Sequence, residues 1–182
     1  MIALYRVRQG LRALLAFTRR VDHTLAAAHL NPPQMMLFRQ MRRSEQLHSL
    51  NVLRDVLTLQ SSAGDAISAM NFSDIAVAAL LHDVGKTCYP LAIWQKTLVV
   101  LVRAFAHPLY NRWSKGDPAN IWQRAFVVAE QHPEWGAALV SSTGLSDRAL
   151  WLIAHHADDA TQWQDDSYVH LLKRLQQADD AN

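Results

Sequence analysis

A run of apolar residues at helical spacing ends in an adjacent histidine and aspartate, and this feature constrains the fold more than any other. Ile75, Ala78 and Ala79 lie on one face of a predicted helix, His82 continues that face, and Asp83 follows directly. An apolar helix face of this kind packs against a protein core. The sequence therefore predicts a helix that carries an imidazole and a carboxylate toward the interior.

Three other predicted helices repeat this arrangement. On each of them, apolar residues three or four positions apart share a face with one histidine or aspartate. The faces comprise His48, Val52, Val56 and Leu59; Ala149, Leu152, Ile153 and His156; and Tyr168, Leu172, Leu175 and Asp179. Each helix is therefore predicted to bring one polar group into the core.

Helical periodicity extends along almost the whole chain of 182 residues, and alternating strand patterns are nearly absent. We find no internal repeat and no stretch with the composition of a linker. The sequence predicts an all-α fold, a single-domain helical bundle over residues 1–182. N-terminal helices in residues 1–43 would pack on a core formed by residues 44–182.

Local signals predict several helix boundaries. The first helix is expected to run from Leu4 to Leu25. Ser73 is a predicted N-cap, and Gly85 is predicted to end the same helix in a left-handed conformation. Pro133 suits the first turn of a helix that would follow a separate helix over 119–130.

The segment 89–129 is unusually aromatic, and two interpretations of it stay open. It is either a helical insertion that shapes a pocket or a helical pair that completes the core. Val99, Val102 and Phe105 recur at helical spacing, which favours the core. The tryptophans of this segment are Trp94, Trp113 and Trp122.

Burial of several imidazole and carboxylate groups is costly unless each has a partner. An uncompensated group costs on the order of several kcal/mol, and a bound cation removes that cost. Any single buried histidine is more often a hydrogen-bonded core residue, but several that converge predict a metal site. Histidine with aspartate suits Fe, Mn, Zn, Co or Ni, whereas Mg and Ca prefer oxygen ligands.

The charges are unevenly distributed along the chain. Residues 1–54 hold nine arginines and two acidic residues, whereas the whole chain has a net charge of only +2. Such a basic segment can attract nucleic acid, but no aromatic residues interleave with the arginines to stack on bases. We interpret it as a solvated helix face and expect no nucleic-acid partner.

Membrane and secretion signals are not found in the sequence. The longest apolar run, over residues 97–106, is about half of the ~20 residues that a membrane span requires. A single cysteine, Cys88, excludes an intrachain disulfide and fits a reducing compartment. We expect a cytoplasmic protein with no membrane partner.

The string Ala78-Ala79-Leu80-Leu81-His82-Asp83-Val84-Gly85-Lys86 resembles the characteristic motif of the HD superfamily of metal-dependent phosphohydrolases. In that family an earlier histidine and a distant aspartate accompany the His-Asp pair, and His48 and Asp179 match them. The resemblance covers about residues 42–182 and implies the helical fold of an HD domain.

Two further strings resemble the branch of that family with additional metal ligands, which includes the HD-GYP proteins. They are His132-Pro133-Glu134-Trp135-Gly136 and His155-His156. The Gly-Tyr-Pro segment of HD-GYP proteins is replaced by Ala157-Asp158-Asp159-Ala160-Thr161. This departure argues against specificity for cyclic di-GMP.

The resemblance implies a centre of one or two divalent transition metal ions, with Fe or Mn favoured and Zn, Co or Ni as alternatives. One ion would bind His48, His82, Asp83 and Asp179. A second would share Asp83 and add His132 and His156, with His155 as the alternative to His156.

The implied activity is hydrolysis of a nucleotide, dinucleotide or other phosphate ester by a metal-activated water. Asp83 and Lys86 are the expected catalytic residues, and Lys86 would also bind the substrate phosphate. An equally favoured alternative places Lys86 at a helix C-terminus as a simple charge partner. Arg42 and Arg43 are weaker candidates for substrate contacts. The alternative function is a non-catalytic metal-binding module that serves as a ligand sensor or interaction protein.

Overall fold

The computed structural model describes residues 20–62, 69–163 and 168–182. Within these ranges the chain forms nine α-helices and two 3₁₀ turns, and it forms no β-strand. The helices are α1 (His23–Ala27), α2 (Pro32–Gln40), α3 (Arg43–Ser62), α4 (Ala69–Leu81), α5 (Ile93–Phe105), α6 (His107–Trp113), α7 (Arg124–Val140), α8 (Asp147–His155) and α9 (Val169–Asp180). The 3₁₀ turns span Val84–Thr87 and Ala160–Gln162. The predicted all-α fold is confirmed.

The main core forms where α3, α4, α8 and α9 pack together, and α4 lies at its centre. Every residue of α4 from Ile75 to Leu81 is buried. The helices around it contribute fully buried leucines, among them Leu50, Leu152 and Leu172. The apolar positions that the structure describes on the four predicted faces therefore lie in the core, apart from the partly buried Tyr168. The side chain of Leu59 lies outside the described part.

The chain before α3 differs from the predicted long helix. Residues 4–19 of that helix lie outside the described residues, and residues 20–22 are not helical. A new helix starts at His23, because the Asp22 side chain accepts a hydrogen bond from the Leu25 backbone N–H. Asn31 likewise caps α2 through a reciprocal capping box with Gln34.

The expected roles of Ser73 and Pro133 as helix starts are wrong. Ser73 lies inside α4, which begins a turn earlier. The helices predicted over 119–130 and from Pro133 form one helix, α7, which begins at Arg124, and residues 119–123 are not helical. Pro133 deprives the Ala129 carbonyl of its usual donor. The helix continues because buried residues on both sides of the proline hold it against the core.

Gly85 does not have the predicted left-handed conformation, since its φ is not positive. It lies in the 3₁₀ turn after α4, where it touches the backbone of α7. A Cβ on Gly85 would stand 2.6 Å from the Gly136 nitrogen and closer still to the His132 carbonyl oxygen. Glycine is needed here because the two backbones approach closely.

A satellite cluster lies beside the main core, where α5 and the residues before it pack on α7. Leu91, Ala125 and Val128 are buried there, with Val99 packed against them. Phe105 is 85% exposed, so the prediction that it completes the core is wrong. Although α5 is strongly apolar, it is too short to cross a membrane. No other helix in the described ranges has the length and hydropathy of a membrane-spanning segment.

Candidate metal centre

Two helices and the turn after α4 contribute one side chain each to a first cluster, formed by His48 (α3), His82 (directly after α4) and Asp179 (α9). One ligand atom from each lies within 4.8 Å of the others. His48 Nε2 donates to Asp179 Oδ1 at 2.7 Å, and His82 Nε2 lies 3.6 Å from the same oxygen. His82 is buried, whereas the side chains of His48 and Asp179 are about one-third exposed. The first cluster is therefore reachable from the surface.

A second cluster, formed by Asp83, His132 (α7) and His156 (directly after α8), is buried throughout. The Nε2 atoms of His132 and His156 are 3.1 Å apart. Asp83 Oδ1 lies 3.4 Å from the Nε2 of His132 and 3.9 Å from that of His156. Two imidazoles and one carboxylate therefore converge on a single buried point.

Asp83 also connects the two clusters. Its Oδ1 atom lies 3.7 Å from His82 Nε2 on one side and 3.4 Å from His132 Nε2 on the other. A single carboxylate oxygen therefore faces both groups of imidazoles. Such a position suits a ligand shared between two cations.

Backbone carbonyls orient the three buried imidazoles. The Nδ1 atoms of His82, His132 and His156 donate to carbonyl oxygens in the preceding helical turn, at 3.0, 2.9 and 2.8 Å. A neutral imidazole with a protonated Nδ1 has a lone pair on Nε2. When these imidazoles are neutral, all three Nε2 lone pairs point to the centre, as expected for metal-binding histidines.

The donor set fits a cation better than it fits the protein alone. His82 Nε2 is buried and has no hydrogen-bond partner. His132 and His156 direct Nε2 atoms at each other, which is unfavourable when both carry lone pairs. A divalent transition metal satisfies these nitrogens and the carboxylates together.

The electrostatics keep both carboxylates ionised. Burial alone would raise the pKa of Asp83, but the Lys86 ammonium and the His82 imidazole outweigh burial and hold this pKa well below its usual range. Burial would also raise the pKa of Asp179, but the hydrogen bond from His48 and the nearby His82 outweigh burial and lower this pKa. Ionised carboxylates are the form that binds metal.

His156 is kept neutral. Burial, followed by the nearby charges of His82 and His132, lowers the pKa of His156 to about 3. The neutral imidazole is the metal-binding form.

Lys86 pairs directly with the shared carboxylate. Its Nζ lies 2.6 Å from Asp83 Oδ1 and 2.7 Å from Oδ2, and about 30% of its side chain is exposed. Burial lowers the pKa of Lys86, but the carboxylates of Asp83 and Glu45 more than offset this, so the pKa is raised and the ammonium stays charged.

The adjacent histidines His155 and His156 have different environments. His156 belongs to the second cluster and is 6% exposed. His155 points elsewhere: its Nδ1 lies 2.7 Å from Asp158 Oδ2, and its ring packs between Trp151 and Trp163. The geometry thus favours His156 as a ligand, the choice that the helical face predicts.

In a centre that holds one ion in each cluster, replacing His156 with Gln is expected to halve the metal content, because the second cluster loses one of its three donors. His155→Gln is the matched control and is expected to keep the wild-type metal content. Elemental analysis of both purified variants checks this. A loss of metal in His155→Gln alone would reverse the assignment.

Glu45 and Lys96 lie near the centre, and the sequence analysis did not single out either residue. Glu45 lies one turn before His48 on α3, and its Oε1 is 3.2 Å from Lys96 Nζ on α5. Arg42, a weaker candidate for a substrate contact, donates a hydrogen bond to the Leu91 carbonyl. The spacing of Glu45 and His48 puts both on one helix face and was the available local signal. No local pattern indicates Lys96 as the partner of Glu45, because the two residues are 51 positions apart.

The fold and this site define an all-α protein with a buried histidine–aspartate centre able to hold metal ions. The chain matches the family model of the HD domain over residues 47–180 and belongs to that family. Searches of curated proteins and of solved structures found no match to this chain.

Proposed function

We propose that this protein is a metal-dependent phosphohydrolase that uses one or two divalent transition metal ions to cleave a phosphate ester. The observation that carries the proposal is the pair of histidine–aspartate clusters joined by Asp83 Oδ1. Membership of the HD domain family supports it. A nucleotide-like substrate is the expected class.

The proposed ligands of a first ion are His48, His82, Asp83 and Asp179. A second ion would share Asp83 and bind His132 and His156. Bound ions of this kind act as Lewis acids on a phosphoryl oxygen and lower the pKa of water so that it attacks phosphorus near neutral pH. Fe or Mn is the favoured metal, with Zn, Co or Ni as alternatives.

The residues of the chain have separate tasks in this proposal. Asp83 is held ionised by Lys86 and positions both groups of imidazoles. The carbonyl partners of His82, His132 and His156 keep the Nε2 lone pairs aimed at the centre. Lys86 brings a charged ammonium beside the reacting phosphate, where it stabilises negative charge that develops in the transition state.

Elemental analysis of protein purified without chelator tests the proposal, followed by phosphate release from phenyl phosphate and from nucleotides. About two equivalents of metal with hydrolysis supports the two-ion centre. One equivalent with hydrolysis restricts the metal to a single cluster. Metal without any hydrolysis favours the ligand sensor or interaction module. No metal, even after reconstitution, contradicts the proposal.

Replacing Lys86 with Met is expected to lower kcat about 100-fold, because one charge-stabilising group leaves the site. Metal content should stay near that of the wild type, since Lys86 is not a proposed ligand and a bound cation would itself keep Asp83 ionised. Lys173→Met, an exposed lysine on α9, is the control with unchanged kcat. An unchanged kcat in Lys86→Met would show that this lysine only pairs with Asp83 and takes no part in the reaction.

A further inference from the structure

A cavity of about 220 Å³ adjoins the metal centre. Lys86 and His132, which belong to the centre or touch it, form part of its lining. The apolar part of the lining includes Val99 from α5 and Ala125 and Val128 from α7. A group attached to a phosphate at the centre can therefore extend over an apolar surface.

Lys96 adds a second ammonium to this cavity. Its side chain is 44% exposed and pairs at 3.2 Å with the Glu45 carboxylate, which is only 9% exposed. The pair contributes modestly to stability because the lysine is partly exposed to solvent. Glu45 also accepts a hydrogen bond from the Arg42 backbone N–H, so this carboxylate stays anchored when Lys96 turns to another anion.

The size of the cavity limits what it can hold. Pockets for drug-sized ligands measure roughly 300–1,000 Å³. The cavity of about 220 Å³ itself accommodates one ring or a short chain. A compact leaving group is therefore the favoured occupant of the cavity.

We propose that this cavity binds the leaving-group portion of the substrate, and that the substrate is a compact phosphate ester with a second anionic group that Lys96 binds. This inference rests on the proposed function, since it places the phosphate at the metal centre. It makes Lys96 a specificity-determining residue.

Binding of two phosphonates tests the inference without depending on hydrolysis. Phenylphosphonate and 4-phosphonobenzoate differ by one carboxylate at the far end of the ring. Calorimetry on the metal-loaded protein is expected to show about fivefold tighter binding of 4-phosphonobenzoate, the size of effect that a partly exposed ion pair produces. Lys96→Met should abolish this preference. Lys173→Met should retain it.

A second variant tests the apolar wall. Ala129 lies in the lining on α7, and Ala129→Leu should fill part of the cavity. Both phosphonates should then bind about tenfold more weakly, which corresponds to the loss of roughly 1.4 kcal/mol. Inorganic phosphate, which needs only the centre, should bind as tightly as in the wild type.

The outcomes separate this inference from the proposed function. Hydrolysis of phenyl phosphate with equal binding of the two phosphonates overturns the role of Lys96 and leaves the hydrolase intact. If 4-phosphonobenzoate binds more tightly in a way that depends on Lys96, but no phosphate ester is hydrolysed, the cavity is supported as a ligand site and the proposed hydrolase activity is contradicted. Failure of both phosphonates to bind the metal-loaded protein overturns the inference.

Discussion

Replacing Asp83 with Asn is expected to remove metal from both clusters and to reduce phosphate release at least about a thousandfold. The physical reason is that Asp83 Oδ1 faces His82 on one side and His132 on the other. In the proposed reaction each ion would contribute several kcal/mol of transition-state stabilisation, and about 1.4 kcal/mol corresponds to a tenfold rate change. Elemental analysis and single-turnover phosphate release measure the two effects.

Two aspartates on α9 provide the controls. Asp179 belongs to the first cluster alone, so Asp179→Asn is expected to lose about one ion and keep the other. The adjacent Asp180 is exposed and lies outside both clusters, so Asp180→Asn should bind metal normally. The helical circular dichroism of each variant verifies that it has folded. Full metal content in Asp83→Asn would show that this carboxylate is not a shared ligand.

Replacing Gly85 with Ala is expected to destabilise the metal-free protein by about 3 kcal/mol. The added Cβ meets backbone atoms of α7 at His132 and Gly136, which cannot turn aside as a flexible side chain can. For a chain of this length the change corresponds to a fall in Tm of roughly 6–12 °C. Thermal unfolding in the presence of a chelator measures it. Metal affinity should fall too, because the clash displaces His132.

Gly116→Ala is the matched control for this prediction. There the added Cβ approaches the end of the Gln123 side chain, 2.7 Å from its Cδ, and that side chain can move. The expected cost is about 1 kcal/mol, the value of the hydrogen bond that Gln123 makes with the Asp117 backbone N–H. Equal destabilisation by the two substitutions would show that the close backbone approach at Gly85 does not cause the loss of stability.

The helix faces were predictable because they depend on local geometry. In a helix, residues three or four apart lie on one side whatever surrounds them. This rule alone placed His82 and His156 at the ends of apolar faces that are buried in the structure. Asp83 and His132 required the resemblance to a family, since neither stands out by spacing on its own helix.

Helix ends were less predictable because a residue type that favours a boundary can be outweighed by packing. Pro133 remains inside α7, where the flanking residues are buried. Gly85 serves a close contact with α7 and not a left-handed turn. Phe105 fits a helical repeat but faces solvent, because α5 packs on a small satellite cluster with only one side.

The sequence by itself determined the all-α class, the apolar faces and the polar groups that those faces carry. Only the tertiary structure decided how these groups meet: the central position of Asp83, the exclusion of His155 from the clusters, and the pairing of Lys96 with Glu45 beside a small cavity. Periodicity along a helix follows from its own geometry. The distance between residues on different helices depends on how those helices cross and on the side chains that separate them.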